Sequence, residues 1–379
     1  MKILFISMPS VHVIRWIENL IIAECELYWF DVLGRGSLET FSSVHQYVNW
    51  KTRKIKPIKG EFFLYKNLPK LHSLLIPYLE KTANEALNDI ILEIQPDIIH
   101  SFEMQGCSYP ILKTMKKFSE IAWIYSCWGS DLFYYKESPS HLRQIKNVLK
   151  RVNYIHTDCE RDYILATNLG FKGKYLGVIP GGAGFRIERL INLRLSFYKR
   201  KIILIKGYEH KFGRALNVIK ALENMLDELQ KFEIVVFGAH QSIIDYVFDK
   251  KLPFKVNSRH ELKHEELLKL MGRSLIYIGN NISDGMPNTL LEAIVMGAFP
   301  IQSNPGGVTE EIITNGKNGL LIEEPENIKA IQQIIQLVVN NNNLLQTAQT
   351  LNYDIALKRL DYDLNKKKII QIYKDILQE

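Results

Sequence analysis

Short apolar runs recur along this chain, and each stops at a loop and gives way to a stretch with helical spacing. KILFIS opens the series and is followed by a helical pattern from about Val11 to Cys25. A run this short and unbroken by polar alternation marks a parallel strand buried on both faces. A helical stretch over Tyr78 to Ile94 then ends at Gln95-Pro96, DIIHSF reads as the next strand, and a helix from about Ser108 to Phe118 leads to the strand IAWIYS. VNYIHTD and KYLGVIPGG follow after another helical stretch. A second series starts near residue 201, with KIILIK, a helix from Gly213 to Leu229, FEIVVFG, a helix from Glu261 to Met271, and SLIYIGN. The helix that opens in SDGMPNTLLEAIVMGAFP comes next, then the strand FPIQS, a loop holding Gly306-Gly307, and a short helix from about Thr309 to Thr314. Strands alternating with helices imply an α/β protein, with open sheets covered on both faces.

Two such series in 379 residues predict two domains, because a chain of this length exceeds one simple core. The glycines and charges of VIPGGAGFRIERLINLR mark the connection. Residues 1–185 are therefore expected to form one Rossmann-like doubly wound domain and residues 186–351 a second. Residues 352–379 form a helical, charged segment that can run back to the first domain. Doubly wound sheets bind ligands at the carboxyl ends of their strands, so the two domains are expected to face a cleft suited to two substrates.

The balance of 46% hydrophobic and 23% charged residues is that of a globular protein. Cys25, Cys107, Cys127 and Cys159 form no CxxC pair, which points away from zinc sites and disulfide frameworks and toward a reducing cytoplasm. The N-terminus lacks the plan of a signal peptide, and no stretch has the length of a membrane span. The net charge of +7 is unevenly placed. Seven Lys and Arg residues lie between Lys51 and Lys70, interleaved with Phe62, Phe63 and Tyr65, a combination suited to an anionic membrane face or a phosphate-bearing substrate. The same residues also suit a solvated basic surface. No nucleic-acid partner is expected, since no helix-turn-helix, zinc finger or aromatic RNA-binding motif accompanies the charge.

Two carboxylates break the pattern of the helix in SDGMPNTLLEAIVMGAFP. Asp284 closes the loop after SLIYIGN, Gly285 permits an unusual backbone geometry there, and Pro287 or Asn288 can start the helix that Gly297 ends. Glu292 lies a little over one turn in, and its side chain leans back toward the helix N-terminus. That N-terminus offers unpaired N–H groups and a partial positive charge to a phosphate or polar ligand. Two carboxylates at such a mouth can accept hydrogen bonds from sugar hydroxyls. They can equally form an ion pair and cap a turn.

The stretch from Ser283 to Ile322, SDGMPNTLLEAIVMGAFPIQSNPGGVTEEIITNGKNGLLI, resembles the signature of retaining glycosyltransferases of family 4, which have the GT-B fold. That signature holds two acidic residues eight apart, a Gly-hydrophobic-Pro loop, a helix ending in Gly, a Gly-Gly loop and an N-G-L-L-like strand. SVHVIRW, QPDIIHSFEMQG and VIPGGAG resemble further parts of the family pattern, so the similarity runs with gaps to about residue 325. The resemblance implies sugar transfer from a nucleotide donor, with retention at the anomeric carbon and no bound metal or other cofactor. It implies that Glu292 holds the donor ribose and Asp284 the transferred sugar. The family more commonly has Glu at the position of Asp284, and the shorter side chain has less reach. Gly285, Met286, Pro287 and Asn288 would position the sugar or phosphate, although Pro287 has no N–H to give. Glu310 is placed with these donor contacts.

A metal-free site needs side-chain cations for the leaving diphosphate. In IKGYEHKFGRAL, Arg214 is the first choice, Lys211 the second, and Lys206 sits at a strand end. Many family members have a His where CWGSDL has Trp128, followed here by Asp131. Trp cannot exchange a proton at neutral pH but can stack on a sugar or donate its N–H. His12, Arg15 and Glu103 are the other candidates for reaction and acceptor contacts. Asp361-Tyr362-Asp363 matches a metal-binding DxD pattern but lies in a Lys-rich helical tail, where a solvated face is expected. The expected function is transfer from a UDP-sugar, with a GDP-sugar second, to a saccharide or lipid-linked acceptor in cell-surface polysaccharide or glycolipid assembly. A nucleotide-sugar epimerase on the same scaffold, or a sugar- or membrane-binding protein without activity, are the alternatives. The expected location is the cytoplasm, at the inner face of the membrane where the acceptor is lipid-linked.

Overall fold

The computed structural model describes residues 1–21, 25–41, 43–180 and 182–378. Gly181 of the VIPGGAG turn lies outside the described residues. The chain divides into two compact units. The first comprises Met1–Thr157, Tyr163–Gly177 and the chain from Ile369 onward, and the second comprises Asp158–Asp162 and Val178–Lys368. The main crossing at Gly177 and Val178 precedes the expected one at 185, because Pro180 and Phe185 already belong to the packing of the second unit. Phe185 N–H donates to the Leu360 carbonyl and lies in that unit's core.

The first unit has a seven-stranded sheet. Its strands are β1 (Lys2–Ser7), β2 (Glu26–Asp31), β3 (His45–Tyr47), β4 (Ile98–Phe102), β5 (Ala122–Cys127), β6 (Tyr154–Thr157) and β7 (Lys174–Val178). The order is β3-β2-β1-β4-β5-β6-β7, and the pairings from β3 to β6 are parallel. The second unit has six strands, β8 (Ile202–Lys206), β9 (Glu233–Ala239), β10 (Lys255–Ser258), β11 (Ser274–Gly279), β12 (Phe299–Ser303) and β13 (Leu320–Ile322). Their order is β10-β9-β8-β11-β12-β13, and all five pairings are parallel. Strand order reverses beside β1 in the first sheet and beside β8 in the second. Crevices for ligands open at such switch points.

Burial explains the apolar runs. Ile3 to Ile6 and Ile276 to Ile278 have no exposed surface, because each sheet is covered on both faces. It also explains what the sequence reading missed. The helix expected to reach Cys25 ends at Glu18, and ELYWFD beyond it is β2. β2 has no alternation, and no Gly or Pro separates it from the helical pattern before it. The helix expected from Tyr78 starts at Ala83, where Thr82 and Glu85 form a reciprocal cap. The residues before it form two separate helices, Glu61–Asn67 and Pro69–Leu79.

One polar chain runs through the core of the first unit. The Trp16 indole donates to Tyr373 Oη at 2.9 Å, Tyr373 Oη lies 2.6 Å from His100 Nδ1, and His100 Nε2 lies 2.7 Å from Ser126 Oγ. Ser126 Oγ lies 2.9 Å from His156 Nδ1. An indole can only donate, so Tyr373 Oη accepts from Trp16, and the chain of hydroxyls and imidazoles continues from it to His156. Burial, with His156 alongside, pushes the His100 pKa well below its ordinary value. The native state therefore leaves His100 neutral where the unfolded chain would protonate it, so this contribution is intact above about pH 6.5 and is lost as pH falls. Stability measured by urea unfolding is expected to fall below that pH, by up to ~1.4 kcal/mol per pH unit from this group. The His100→Gln variant should lose that component of the slope, and an unchanged slope would rule His100 out as its source.

Candidate active site

In the second unit, β11 ends at Gly279, and a loop carries the chain to the helix Asn288–Met296. Pro287 occupies the N-cap without any side-chain cap, and Gly297 closes the helix with φ 78°. Residues Leu290 to Met296 are all buried, Glu292 among them at 4% exposure. A carboxylate in an apolar helix needs a partner, and His264 Nε2 lies 2.7 Å from Glu292 Oε1. His264 is half-exposed and begins the helix His264–Arg273. Glu292 thus sits at a wet edge of the core, where a ligand hydroxyl can reach what the imidazole now touches.

Asp284 accepts from Asn281 Nδ2 at 2.8 Å and from Gly285 N–H at 3.0 Å. Burial raises its pKa, against the pull of Lys206, the Gly285 N–H and Arg161. The expectation of an unusual backbone at Gly285 is corrected, because its φ lies outside the left-handed region. Glycine is required there for space. A Cβ would lie 2.6 Å from Asp158 Oδ2. Of the N–H groups assigned to a ligand, that of Gly285 bonds to Asp284 and that of Met286 to Asp158.

The loop is gripped by the segment Asp158–Asp162 directly after β6, none of which was expected at the site. Arg161 Nη2 donates to the Asp284 carbonyl at 2.7 Å, Nη1 to the Pro305 carbonyl at 2.6 Å, and Nε to Asp162 Oδ1 at 2.9 Å. Burial opposes its charge most strongly, but Asp162, Cys159 and Asp158 together outweigh burial and the Arg161 pKa is raised. Glu311 accepts from the N–H groups of Glu160 and Arg161 at 2.8 and 3.0 Å. Burial, with Asp162 adding to it, pushes Asp158 well above the usual carboxylate range. Among the described residues, Asp158, Cys159 and Asp162 have ligand atoms within 4.8 Å of one another. The Arg161 guanidinium already pairs with Asp162, which disfavours a cation at the same place.

Lys206 ends β8, with its amine 4.6 Å from the Tyr208 ring centroid. Arg259 lies over the same ring at 5.7 Å. His210 senses the field of this region. Its pKa is lowered by burial, then by His240, Lys206, Arg259 and Arg214. Arg214 pairs with Glu326 at 2.8 Å and donates to the Gly213 carbonyl at 2.8 Å. The exposed Lys211 lies over the Phe212 ring at 5.3 Å. Of the three basic residues read from IKGYEHKFGRAL, it is thus Lys206 whose charge acts on Asp284. Glu310 is held by Asn304 Nδ2 at 2.7 Å, beside the Gly306-Gly307 turn in which both glycines have positive φ.

The carboxyl end of the first sheet gathers a second group. Ser10 caps the helix Val11–Glu18, which carries His12 and Arg15. The His12 ring meets Trp128 edge-on at 6.0 Å, and Trp128 lies 6.4 Å from Phe102. Glu103 follows β4 with φ 73°, a strained value for a residue other than glycine. It accepts from Gln105 N–H at 2.8 Å, and burial, then Asp131, raises its pKa to about 7. Asp131 was expected to face an acceptor, but it is buried. Its carboxylate takes Tyr125 Oη at 2.6 Å and the N–H groups of Trp128 and Met104 at 3.0 and 3.2 Å. It shapes the loop that presents Trp128.

Comparison with known proteins places this geometry. The family model described as "Glycosyl transferases group 1" matches residues 196–353, and that described as "Glycosyl transferase 4-like" matches residues 44–159. A protein of Methanocaldococcus jannaschii named uncharacterized glycosyltransferase MJ1069 is 26% identical over 188 residues, which cover 48% of this chain and 46% of that protein. The chain thus aligns with less than half the length of this relative. Sucrose-phosphate synthase from Thermosynechococcus elongatus is similar in fold, with a TM-score of 0.72 at 14% identity over 100% of this chain and 99% of that one. Anabaena Alr3699/HepE in complex with UDP and glucose gives 0.68 at 14% identity over 99% and 100%. A glycosyltransferase from Rickettsia africae gives 0.66 at 18% identity over 100% and 99%. The strand orders, the loop-helix signature and both family models agree, and the chain belongs to the GT4-type glycosyltransferases of GT-B fold.

Proposed function

We propose that the chain moves a sugar from a nucleotide diphosphate sugar, a UDP-sugar first, to a saccharide or lipid-linked saccharide acceptor, with retention and without a bound metal. The observation that carries this reading is the buried Glu292 beside an N-terminus without a side-chain cap, with Asp284 before it and Lys206 acting on Asp284. The complex of the Anabaena relative with UDP and glucose supports the choice of nucleotide. Glu292 accepts from the ribose hydroxyls, and Asp284 from a hydroxyl of the transferred sugar. Lys206, with Arg214 and Arg259 around it, offsets the charge that grows on the leaving diphosphate. The acceptor hydroxyl bonds to the anomeric carbon on the face from which the phosphate oxygen departs, and its proton passes to that oxygen. No enzyme base is then required, which accommodates Trp128 where many relatives have His. Trp128, His12 and Glu103 contact the acceptor, which fits assembly of cell-surface polysaccharide or glycolipid.

Ligands that bind only the native state raise the melting temperature. UDP at about a hundred times its Kd is expected to add about 2.7 kcal/mol, a rise of several degrees. A thermal-shift screen of UDP, GDP, ADP and their sugar conjugates checks this, and stabilisation by GDP alone would reassign the donor. NMR of the product then separates a new glycosidic bond of retained configuration from a free epimerised sugar nucleotide.

A further inference from the structure

The helices Glu61–Asn67 and Pro69–Leu79 present apolar side chains to solvent. The first helix has no buried residue, and the second has only Leu79. Leu71, Leu74, Leu75 and Tyr78 recur at the spacing of one helical face, yet all four are exposed, Leu74 at 69% and Tyr78 at 75%. On the preceding helix Phe62, Phe63 and Tyr65 are exposed as well, Phe62 at 75%. An apolar stripe of this kind normally faces a core, and a contiguous exposed one marks an interaction surface.

Charge identifies what covers it. Between Trp50 and Leu79 there are seven Lys and Arg residues and one carboxylate, so this short segment holds most of the net +7 of the chain. That carboxylate, Glu61, is taken by Arg53 through a two-bond fork at 2.6 and 2.8 Å, and Lys54 pairs with Glu85 at 2.6 Å. These pairs anchor the element. Lys51, Lys56, Lys59, Lys66 and Lys70 remain as exposed cations around the apolar side chains. A protein partner would need its own dense acidic rim around an apolar centre. An anionic bilayer offers phosphates above acyl chains everywhere on its surface. No helix of the described residues is long and apolar enough to cross a membrane, so contact of this kind is interfacial.

We propose that the helix pair Glu61–Leu79 is a membrane-docking element that lies in the face of an anionic phospholipid bilayer, its aromatic and leucine side chains among the acyl chains and its lysines against the phosphates. This stands apart from the transferase reading, and the test needs no turnover. The full chain is sedimented with vesicles of pure phosphatidylglycerol and of pure phosphatidylcholine. Binding is expected to phosphatidylglycerol alone and to weaken as salt is added. Replacing Lys56, Lys59, Lys66 and Lys70 by serine should lower the partition coefficient by roughly five-fold per lysine at low salt. Phe62→Ser, Phe63→Ser, Leu74→Ser and Tyr78→Ser combined should abolish binding although every positive charge is kept. Circular dichroism of both variants should match the parent, since the substituted side chains are exposed. No binding to phosphatidylglycerol at low salt, equal binding to both lipids, or undiminished binding by the serine variant of the apolar residues would overturn the proposal. So would a dimer in light scattering that this variant dissolves, because the surface would then belong to a second protein chain.

Discussion

Glu292→Ala is expected to weaken UDP-sugar binding by roughly a hundred- to ten-thousand-fold, with a matching loss in kcat/KM. Two hydrogen bonds to a carboxylate are each worth about 1.5–3 kcal/mol. Glu292 is 4% exposed and already positioned by His264, so little ordering is needed when a ribose diol arrives. Calorimetry with UDP gives the test in its simplest form, because the ribose is present and the sugar is not. Glu292→Gln preserves the shape and one acceptor, and should lose less. His264→Ala separates two roles, since it removes the resting partner and leaves the ribose contact intact. If Glu292→Ala bound UDP as tightly as the parent, the ribose assignment would be wrong.

Arg161→Ala should destabilise the protein by about 3–5 kcal/mol, the usual loss when one member of a buried ion pair is removed and the other stays. Asp162 has no exposed surface and would be left without the guanidinium, and the carbonyls of Asp284 and Pro305 would each lose a donor. Lysine keeps the charge but cannot form the same fork, so Arg161→Lys should fall between the two. Because the Asp284 carbonyl belongs to the donor loop, UDP-sugar affinity should fall as well in the protein that remains folded. Urea unfolding checks the first effect and calorimetry the second. A stability change below about 1 kcal/mol would show that the fork contributes little. The double variant Arg161→Leu, Asp162→Leu should recover much of the loss, since no buried charge is then unpaired.

The parts of this site that lie close together in sequence were legible there. Asp284, Gly285, Pro287 and Glu292 share one loop and one helix, and the alternation of apolar runs with helical spacing located the strands that carry them. What escaped reading is held by distant chain segments. Arg161 reaches Asp284 across 123 positions, and His264 reaches Glu292 across 28. Arg259, which shares the Tyr208 ring with Lys206, looked like any other surface cation. Nothing local predicts such pairs, although the charged stretch DCERD directly after a buried strand was a signal that the chain had reason to hold charge there. Gly285 shows the same limit in another form. The residue type was informative, but its cause was a carboxylate from elsewhere and not its own backbone. Asp131 fell within a familiar-looking turn, and only its burial revealed that it serves the loop instead of a ligand.

Tyr373 follows the whole second unit in sequence, yet it supplies the hydroxyl between Trp16 and His100 in the core of the first unit. During synthesis the chain emerges from its N-terminus, and units made early ordinarily fold before later ones appear. Here the strands of the first sheet are all made by Val178, but the buried indole and imidazole that await Tyr373 have to go without it until the second unit has been made. A nascent chain therefore carries an opening in its first core for as long as the whole second unit is being made. Completion of the first unit is in this sense a report that the second unit has been synthesised, delivered by one phenol that follows it.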